Sequence, residues 1–237
     1  MYSCKRVQCR SVKTLTRKNR ESQIEFINKT LKELDLTYIH PLLASTTKYA
    51  ISTGGKRLRP LIAILCSEML GGDFLDTGNM FLALELIHNA TLVHDDIIDE
   101  DMYRRGEPSL FSQHGIKKAV LTGDALLSMG LMHASQTGKP EIVGWLAETA
   151  LKMVQGITVQ NQFKHKLLSV NEYLHMNYLK SGSLFEAAAA LGGIAATNKR
   201  IPDKRRHYRC LHPQGIRKVS QQRLVERRPI IVASLRR

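Results

Sequence analysis

The sequence has no long apolar run and few cysteines. No stretch approaches the roughly eighteen consecutive apolar residues that a helix needs to cross a bilayer, which excludes a membrane span. The four cysteines, Cys4, Cys9, Cys66 and Cys210, show no Cys-x-x-Cys spacing. This pattern predicts reduced thiols and an intracellular, cytoplasmic setting. Strand-like alternation of apolar and polar residues is also absent, so the chain is predicted to be all-α.

Acidic residues are missing from the first 20 positions and rare at the end of the chain. Residues 1–20 hold seven basic residues and no acid, and residues 198–237 hold 13 basic residues and two acids. Residues 21–197 hold 15 basic residues and 19 acids. The net charge of +14 would ordinarily suggest a nucleic-acid or membrane-surface partner. Because the excess lies at the two ends, no nucleic-acid partner is predicted.

The first 20 residues also lack the apolar segment of a secretory signal. We interpret residues 1–20 as a basic, disordered extension. Since this segment is acid-free and contains serine, a mitochondrial transit peptide is the alternative interpretation.

From about Glu21 onward, apolar residues recur at the three- and four-residue steps of amphipathic helices. Pro41 is interpreted as a break, and glycines and prolines separate the later segments. The predicted helices cover residues 21–34, 61–70, 79–101, 117–135, 141–163 and 170–196.

Three aspartates, Asp95, Asp96 and Asp99, follow the apolar run 81–93. On a helix, Asp95 and Asp99 lie one turn apart on the same face, about 6 Å along the axis, with Asp96 beside them. Such carboxylates repel by roughly 3 kcal/mol per pair at an effective dielectric near 20, so a buried cluster predicts a cation between them. Oxygen ligands favour Mg²⁺, which normally arrives with substrate phosphates. A solvated acidic helix end is the alternative.

Two basic segments flank these aspartates, GGKRLRP at residues 54–60 and RRG at residues 104–106. Arginine makes planar two-point contacts with phosphate oxygens, and lysine acts as a point charge. The first segment is not a nucleotide-binding P-loop, because it lacks Gly-x-x-x-x-Gly-Lys-Ser/Thr. Either segment alone fits a solvated surface, but the basic, acidic, basic order predicts a phosphate-binding pocket.

Two histidines of the aspartate helix are predicted to differ in role. His88 lies seven residues before Asp95, within about 40° of the stripe that Asp95 and Asp99 form. It is therefore expected to face the same pocket, with a half-buried structural histidine as the alternative. His94 lies about 100° from that stripe and is interpreted as structural.

Between about Lys29 and Thr197 the chain resembles the trans-type polyprenyl (geranylgeranyl or polyprenyl) diphosphate synthases. The segments that carry the resemblance are GGKRLRP, LIHNATLVHDDIIDEDMYRRG and NYLKSGSLFEAA. The resemblance implies an isoprenoid synthase-type helical bundle around a central cavity. It also implies a magnesium-dependent condensation of isopentenyl diphosphate with an allylic diphosphate, carried out by a homodimer or a heterodimer.

The resemblance implies roles for individual residues in three groups. The groups are Asp95, Asp96 and Asp99 as magnesium ligands; Lys56, Arg59, His88 and Arg105 at isopentenyl diphosphate; and Arg104, Lys180 and Ser181 at the allylic diphosphate. Lys180 and the three aspartates are the residues predicted to be catalytic. Asp124 would line the cavity and Gln160 holds a position that is often Asp, with ordinary helix packing or polar surface as the alternatives.

In this family, bulky residues four and five positions before the first aspartate block the channel for the growing chain. Thr91 and Ala90 stand there. The resemblance therefore implies a product of C20 or longer, with its tail running past Leu84 and Ile87. Ordinary helix packing by small residues is the alternative.

The resemblance ends near Thr197, so residues 21–197 are interpreted as a partial polyprenyl synthetase domain. A complete synthase continues to a second Asp-Asp-x-x-Asp motif, whereas residues 198–237 contain only Asp203 and Glu226 as acids. We interpret this segment as a basic, disordered tail produced by a shifted reading frame, with the C-terminal helices missing. A genuine basic tail is the alternative. Three functional classes follow: an active prenyltransferase, a weak or non-catalytic subunit of a heteromeric synthase, and an inactive truncated product.

Overall fold

The computed structural model describes residues 17–73, 77–164 and 166–196. In chain order the elements are α1 (Arg17–Lys32), α2 (Pro41–Ser52), α3 (Leu58–Met69), α4 (Gly78–Ile98), β1 (Tyr103–Arg104), β2 (Glu107–Pro108), α5 (Leu110–His114), α6 (Ile116–Gln136), α7 (Pro140–Gln162), α8 (Val170–Asn177), a π-helical turn (Tyr178–Gly182) and α9 (Ser183–Ala196). The all-α prediction is confirmed.

Several predicted features lie outside the described residues. They include Cys4, Cys9 and Cys210, most of the predicted N-terminal extension, and the predicted tail from residue 198 onward. Chain contacts divide the molecule into Met1–Asn198 and Lys199–Arg237, and all of the described residues belong to the first unit.

Three local features add to or differ from the sequence predictions. Pro41 lies at the predicted break and also begins α2, because proline suits the first helical turn, where its missing N–H is not needed. A short hairpin follows α4, since Arg105 (φ 55°) and Gly106 (φ 86°) both adopt the positive φ angles of a tight two-residue turn. The single helix predicted over residues 170–196 is divided by the π-helical turn.

Helix α4 lies at the centre of the first unit. It packs along α6 and also contacts α2, α3, α5, α7 and α9. Its apolar residues Phe81, Leu84, Leu86 and Ile87 are fully buried. Burying each such side chain contributes roughly 1.5–3 kcal/mol, so α4 is a rigid support for the polar residues at its C-terminal end.

The second strong helix pairing joins α3 to α9, and α9 also packs on α7. The end of α9 is fixed by Lys139, whose Nζ donates 2.8 Å hydrogen bonds to the carbonyl oxygens of Ile194 and Ala195. A lysine in this place satisfies terminal carbonyls and complements the negative end of the helix dipole. Within the described ranges, no helix is long and apolar enough to cross a membrane.

Candidate functional site

Asp95 and Asp99 lie on the side of α4 that faces α7 and the π-helical turn. Lys180 Nζ lies 3.0 Å from Asp95 Oδ2 and 3.8 Å from Asp99 Oδ2. It also donates a 2.9 Å hydrogen bond to Gln160 Oε1, and Gln160 Nε2 lies 3.5 Å from Asp99 Oδ1. A cation therefore lies between two of the predicted carboxylates, and it is a side chain of the protein itself.

The position of Lys180 depends on a close backbone contact between two elements. A Cβ at Gly156 of α7 would lie 2.4 Å from Lys180 N and 2.8 Å from Lys180 Cα, so only glycine fits there. The hydroxyl of Tyr178 donates a hydrogen bond to Glu186, and burial, followed by this bond, raises the pKa of the Tyr178 phenol. The wide π-helical turn thus presents Lys180 to α4, as such turns often do at functional sites.

Asp96 turns away from the other two aspartates. It is buried, and Arg104 Nε donates hydrogen bonds of 2.6 and 2.7 Å to its two carboxylate oxygens. Burial raises the pKa of Asp96, while the arginine acts in the opposite direction. On the helix Asp96 points about 100° from Asp95 and about 60° from Asp99, and its carboxylate is directed to Arg104.

This ion pair joins two residues that were predicted to have different roles. It anchors the hairpin to α4. The predicted roles of Asp96 as a magnesium ligand and of Arg104 at the allylic diphosphate stay predictions. Nowhere in the described ranges do three or more His, Cys, Asp or Glu side chains come close enough together to hold a metal ion.

Asp95 nevertheless has the character of a metal ligand. Its Oδ1 atom is buried and has no hydrogen-bond partner among the described residues. A buried carboxylate oxygen without a partner is costly and is usually satisfied by a water or an ion. The oxygens of Asp95 and Asp99 fit Mg²⁺, which binds through one or two carboxylates and takes its other ligands from water and substrate phosphates.

The basic half of the site is built around Arg59 of α3. Its Nη1 atom lies 2.8 Å from His88 Nε2, and its guanidinium carbon lies 4.5 Å from the centre of the Phe185 ring. Its Nε atom is buried and has no partner among the described residues. Burial also lowers the pKa of Arg59. Arg59 is therefore held between the His88 imidazole and the Phe185 ring, and its Nε–H group can donate to an anion.

His88 is neutral in this environment. Burial, together with the positive charges of Arg59 and Arg105, lowers its pKa to about 3. Its Nε2 atom therefore accepts the hydrogen bond from Arg59. His88 thus contacts Arg59, which was predicted to act at the same site, and the role of both residues at isopentenyl diphosphate stays a prediction.

Three other predicted residues are exposed. Lys56 is exposed in the loop before α3. Arg105 is exposed in the hairpin turn, with its Nη1 atom 3.5 Å from Thr53 O and its guanidinium against Gly55. Ser181 is exposed beside Lys180. Lys56 and Arg105 are therefore exposed cations, and the charge of Arg105 acts on Arg59.

Arg57 and Glu85 were not singled out from the sequence, yet they form the most buried ion pair at the site. Arg57 Nη1 lies 2.7 Å from Glu85 Oε2, and the two side chains are only 5% and 3% exposed. The signal that could have found them is Glu85 itself, a lone charge in the apolar run 81–93.

Other predicted residues of the cavity have structural contacts. Asp124 is largely exposed and lies 3.5 Å from His94 Nε2, while the His94 ring packs on Gly123 of α6. This confirms the structural interpretation of His94, and it favours helix packing over cavity lining for Asp124. Ile87 packs on Gly130, so it lies in the α4–α6 contact instead of an open channel. Leu84 and Ala90 are also buried.

Acidification is expected to destabilise the fold through His88. Because an unfolded histidine titrates near pH 6.5 and folded His88 near 3, the unfolded state binds the proton first as the pH falls. The contribution of neutral His88 to the free energy of unfolding is complete above about pH 7 and is lost progressively between pH 6.5 and 3. Between pH 7.5 and 5.0, the free energy of unfolding of the wild-type chain should fall by about 2 kcal/mol more than that of His88→Gln. Urea denaturation at the two pH values measures both. Equal losses in the two chains would contradict a neutral, buried His88.

A family model described as "Polyprenyl synthetase" matches residues 40–216. This match extends beyond Thr197, where the resemblance in the sequence was predicted to end. A short chain isoprenyl diphosphate synthase of Methanothermobacter thermautotrophicus is 36% identical over 157 residues, which cover 64% of this chain and 48% of that protein. A geranylgeranyl pyrophosphate synthase of Geoglobus acetivorans is 31% identical over 180 residues, which cover 73% of this chain and 55% of that protein.

Solved structures show the same architecture. The geranylgeranyl pyrophosphate synthetase of Geoglobus acetivorans superimposes with a TM-score of 0.70 and 33% identity, covering 74% of this chain and 59% of that one. An isoprenoid synthase family member from Thermotoga neapolitana has a TM-score of 0.70 and 30% identity, covering 73% and 70%. The chain spans about half the length of the curated relatives it matches.

Proposed function

This chain belongs to the polyprenyl synthetase family, and we propose that it condenses isopentenyl diphosphate with an allylic diphosphate to give a polyprenyl diphosphate of C20 or longer. The observation that supports this is the division of α4 into two polar stations. His88, with Arg59, lies about two turns before Asp95 and three turns before Asp99, about 10 and 16 Å along the helix axis. One helix thus carries residues of a cationic station (His88 with Arg59) and of a carboxylate station (Asp95 and Asp99). Each station is proposed to bind one diphosphate.

The cationic station is proposed to bind isopentenyl diphosphate. Arg59 offers a buried Nε donor without a partner, and Lys56 and Arg105 have exposed cationic ends. Neutral His88 accepts from Arg59 and so fixes the guanidinium without adding a charge of its own. The three cations would orient the diphosphate and leave the double bond of the substrate free to react.

The carboxylate station is proposed to bind the allylic diphosphate through Mg²⁺ at Asp95 and Asp99. When bound, magnesium supplies Lewis-acid stabilisation of the leaving diphosphate. Lys180 lies 3.0 Å from Asp95 and can donate its N–H bonds to the same diphosphate. As the allylic carbon–oxygen bond breaks, these donors stabilise the negative charge that develops on the leaving group. The double bond of isopentenyl diphosphate then attacks the allylic carbon, and the proton that is lost passes to the released diphosphate.

A second candidate function is a weakly active or non-catalytic subunit of a heteromeric synthase, binding substrates as half of a dimer. The observation that favours it is that Asp203 and Glu226 are the only acids among residues 198–237. In this role the cationic station would still bind isopentenyl diphosphate.

Product analysis tests the proposed reaction. The full chain is incubated with labelled isopentenyl diphosphate and with C5, C10 or C15 allylic diphosphates, in Mg²⁺ or in EDTA. We expect Mg²⁺-dependent extension to C20 or longer, because small Thr91 and Ala90 stand where bulky residues would block the chain. Release of a C15 product alone would contradict the chain length. Binding of isopentenyl diphosphate without any extension would favour the second candidate.

A further inference from the structure

We propose that the buried Arg57–Glu85 ion pair is a positioning device that holds the 54–60 segment in the shape that binds isopentenyl diphosphate. This inference rests on the proposed function and deepens it. Neither residue would touch the substrate, so both are positioning residues rather than catalytic ones.

Arg57 makes hydrogen bonds to three residues of the surrounding helices. Its Nη1 atom binds Glu85 Oε2 at 2.7 Å, its Nε donates to Asn28 Oδ1 at 2.9 Å, and its Nη2 lies 3.5 Å from Ile51 O. These partners belong to α4, α1 and α2. One guanidinium therefore ties the loop before α3 to three helices.

The backbone of Arg57 is constrained by the same contacts. Its φ of 50° lies in the left-handed region, which costs a residue with a side chain free energy relative to the right-handed region. Such a conformation persists only when the surrounding contacts hold it in place. It sends the side chain of Arg57 inward, while Lys56 before it remains exposed and Arg59 after it turns toward His88.

Glu85 connects this loop to the histidine of the site. It lies three residues before His88, almost one turn away on α4. The ion pair therefore ties Arg57 to α4, the helix that also carries His88. Because Glu85 neutralises Arg57, the positive charges of Lys56, Arg59 and Arg105 are the ones that remain for an anionic ligand.

An ordinary structural ion pair makes a different prediction from a positioning device. Loss of a structural pair lowers the stability of the whole chain and impairs both substrates alike. Loss of a positioning device raises the dissociation constant of isopentenyl diphosphate and leaves the allylic diphosphate at Asp95 and Asp99 unaffected.

The test replaces both partners, so that no buried charge is left alone. Double replacement of a buried ion pair by apolar residues often preserves the fold, whereas removal of one partner is strongly destabilising. For Arg57→Met/Glu85→Leu we expect a folded chain whose dissociation constant for isopentenyl diphosphate is raised tenfold or more. Its dissociation constant for farnesyl diphosphate in Mg²⁺ should stay within twofold of wild type, both measured by isothermal titration calorimetry.

A matched control removes another buried polar pair. The hydroxyls of Thr46 and Thr122 lie 2.7 Å apart between α2 and α6, and neither residue belongs to the two stations. Thr46→Val/Thr122→Val should leave both dissociation constants unchanged. A folded Arg57→Met/Glu85→Leu chain with wild-type affinity for isopentenyl diphosphate, or with equal losses for both ligands, would overturn the inference.

A conservative variant keeps the test decisive if the double variant does not fold. Arg57→Lys retains the charge opposite Glu85 but cannot reach all three partners. We expect it to weaken isopentenyl diphosphate binding selectively, and unchanged binding would overturn the inference. If the wild-type chain fails to bind isopentenyl diphosphate at all, the proposed function itself fails, and this outcome is distinct from the two above.

Discussion

Replacing Asp95 by asparagine is expected to lower the Mg²⁺-dependent affinity for an allylic diphosphate at least a hundredfold, about 2.7 kcal/mol. Asp95 has a buried carboxylate oxygen without a partner among the described residues, and it is the nearer of the two carboxylates to Lys180. Its substitution removes a negative ligand and half of the charge that holds Lys180. Calorimetric titration with farnesyl diphosphate in Mg²⁺ and in EDTA measures the effect.

Asp101→Asn is the matched control, because Asp101 is exposed just beyond the end of α4. It should bind farnesyl diphosphate within twofold of the wild-type chain. If Asp95→Asn weakens binding equally with and without Mg²⁺, then Asp95 acts only by holding Lys180, and its proposed role as a metal ligand is wrong.

Gly156→Ala is expected to destabilise the protein by about 3 kcal/mol and to displace Lys180. The added Cβ would meet Lys180 N at 2.4 Å, Lys180 Cα at 2.8 Å and the carbonyl carbon of Leu179 at 2.9 Å. All three are backbone atoms, so the contact can be relieved only if α7 and the π-helical turn move apart. Urea denaturation measures the stability, and titration with farnesyl diphosphate measures the lost affinity.

Gly78→Ala provides the comparison, since it also places alanine in a helix. A Cβ at Gly78 meets no described atom within 4 Å, and alanine is favoured over glycine in helices by about 1 kcal/mol. This variant should be as stable as wild type or slightly more stable. Wild-type stability and affinity in Gly156→Ala would show that the tight α7 contact does not position Lys180.

The long helices could be predicted because their apolar periodicity is set by the sequence alone. Helix α4 was predicted over residues 79–101 and runs over Gly78–Ile98. The same periodicity placed Asp95 and Asp99 on one face. It could not show that Asp96, the next residue, forms an ion pair with Arg104. That pairing depends on a hairpin whose two-residue strands are too short to give a strand pattern in the sequence.

The remaining parts of the site depend on contacts between distant segments. Lys180 was predicted only from the family resemblance, since its place beside Asp95 is set by the approach of Gly156 to the π-helical turn. Arg57 looked like its neighbours Lys56 and Arg59 in a basic motif. Only the fold shows that it is buried against Glu85, because periodicity carries no information about which of several cations turns inward.

Four titrations of the full chain decide whether the pocket has two chemically different halves. Isopentenyl diphosphate and farnesyl diphosphate are each titrated in Mg²⁺ and in EDTA. Since Lys56, Arg59 and Arg105 need no metal, isopentenyl diphosphate should bind with similar affinity in both buffers. Farnesyl diphosphate should bind only in Mg²⁺. Equal dependence of both ligands on Mg²⁺, or binding of neither ligand, would contradict a cationic station and a carboxylate station on one helix.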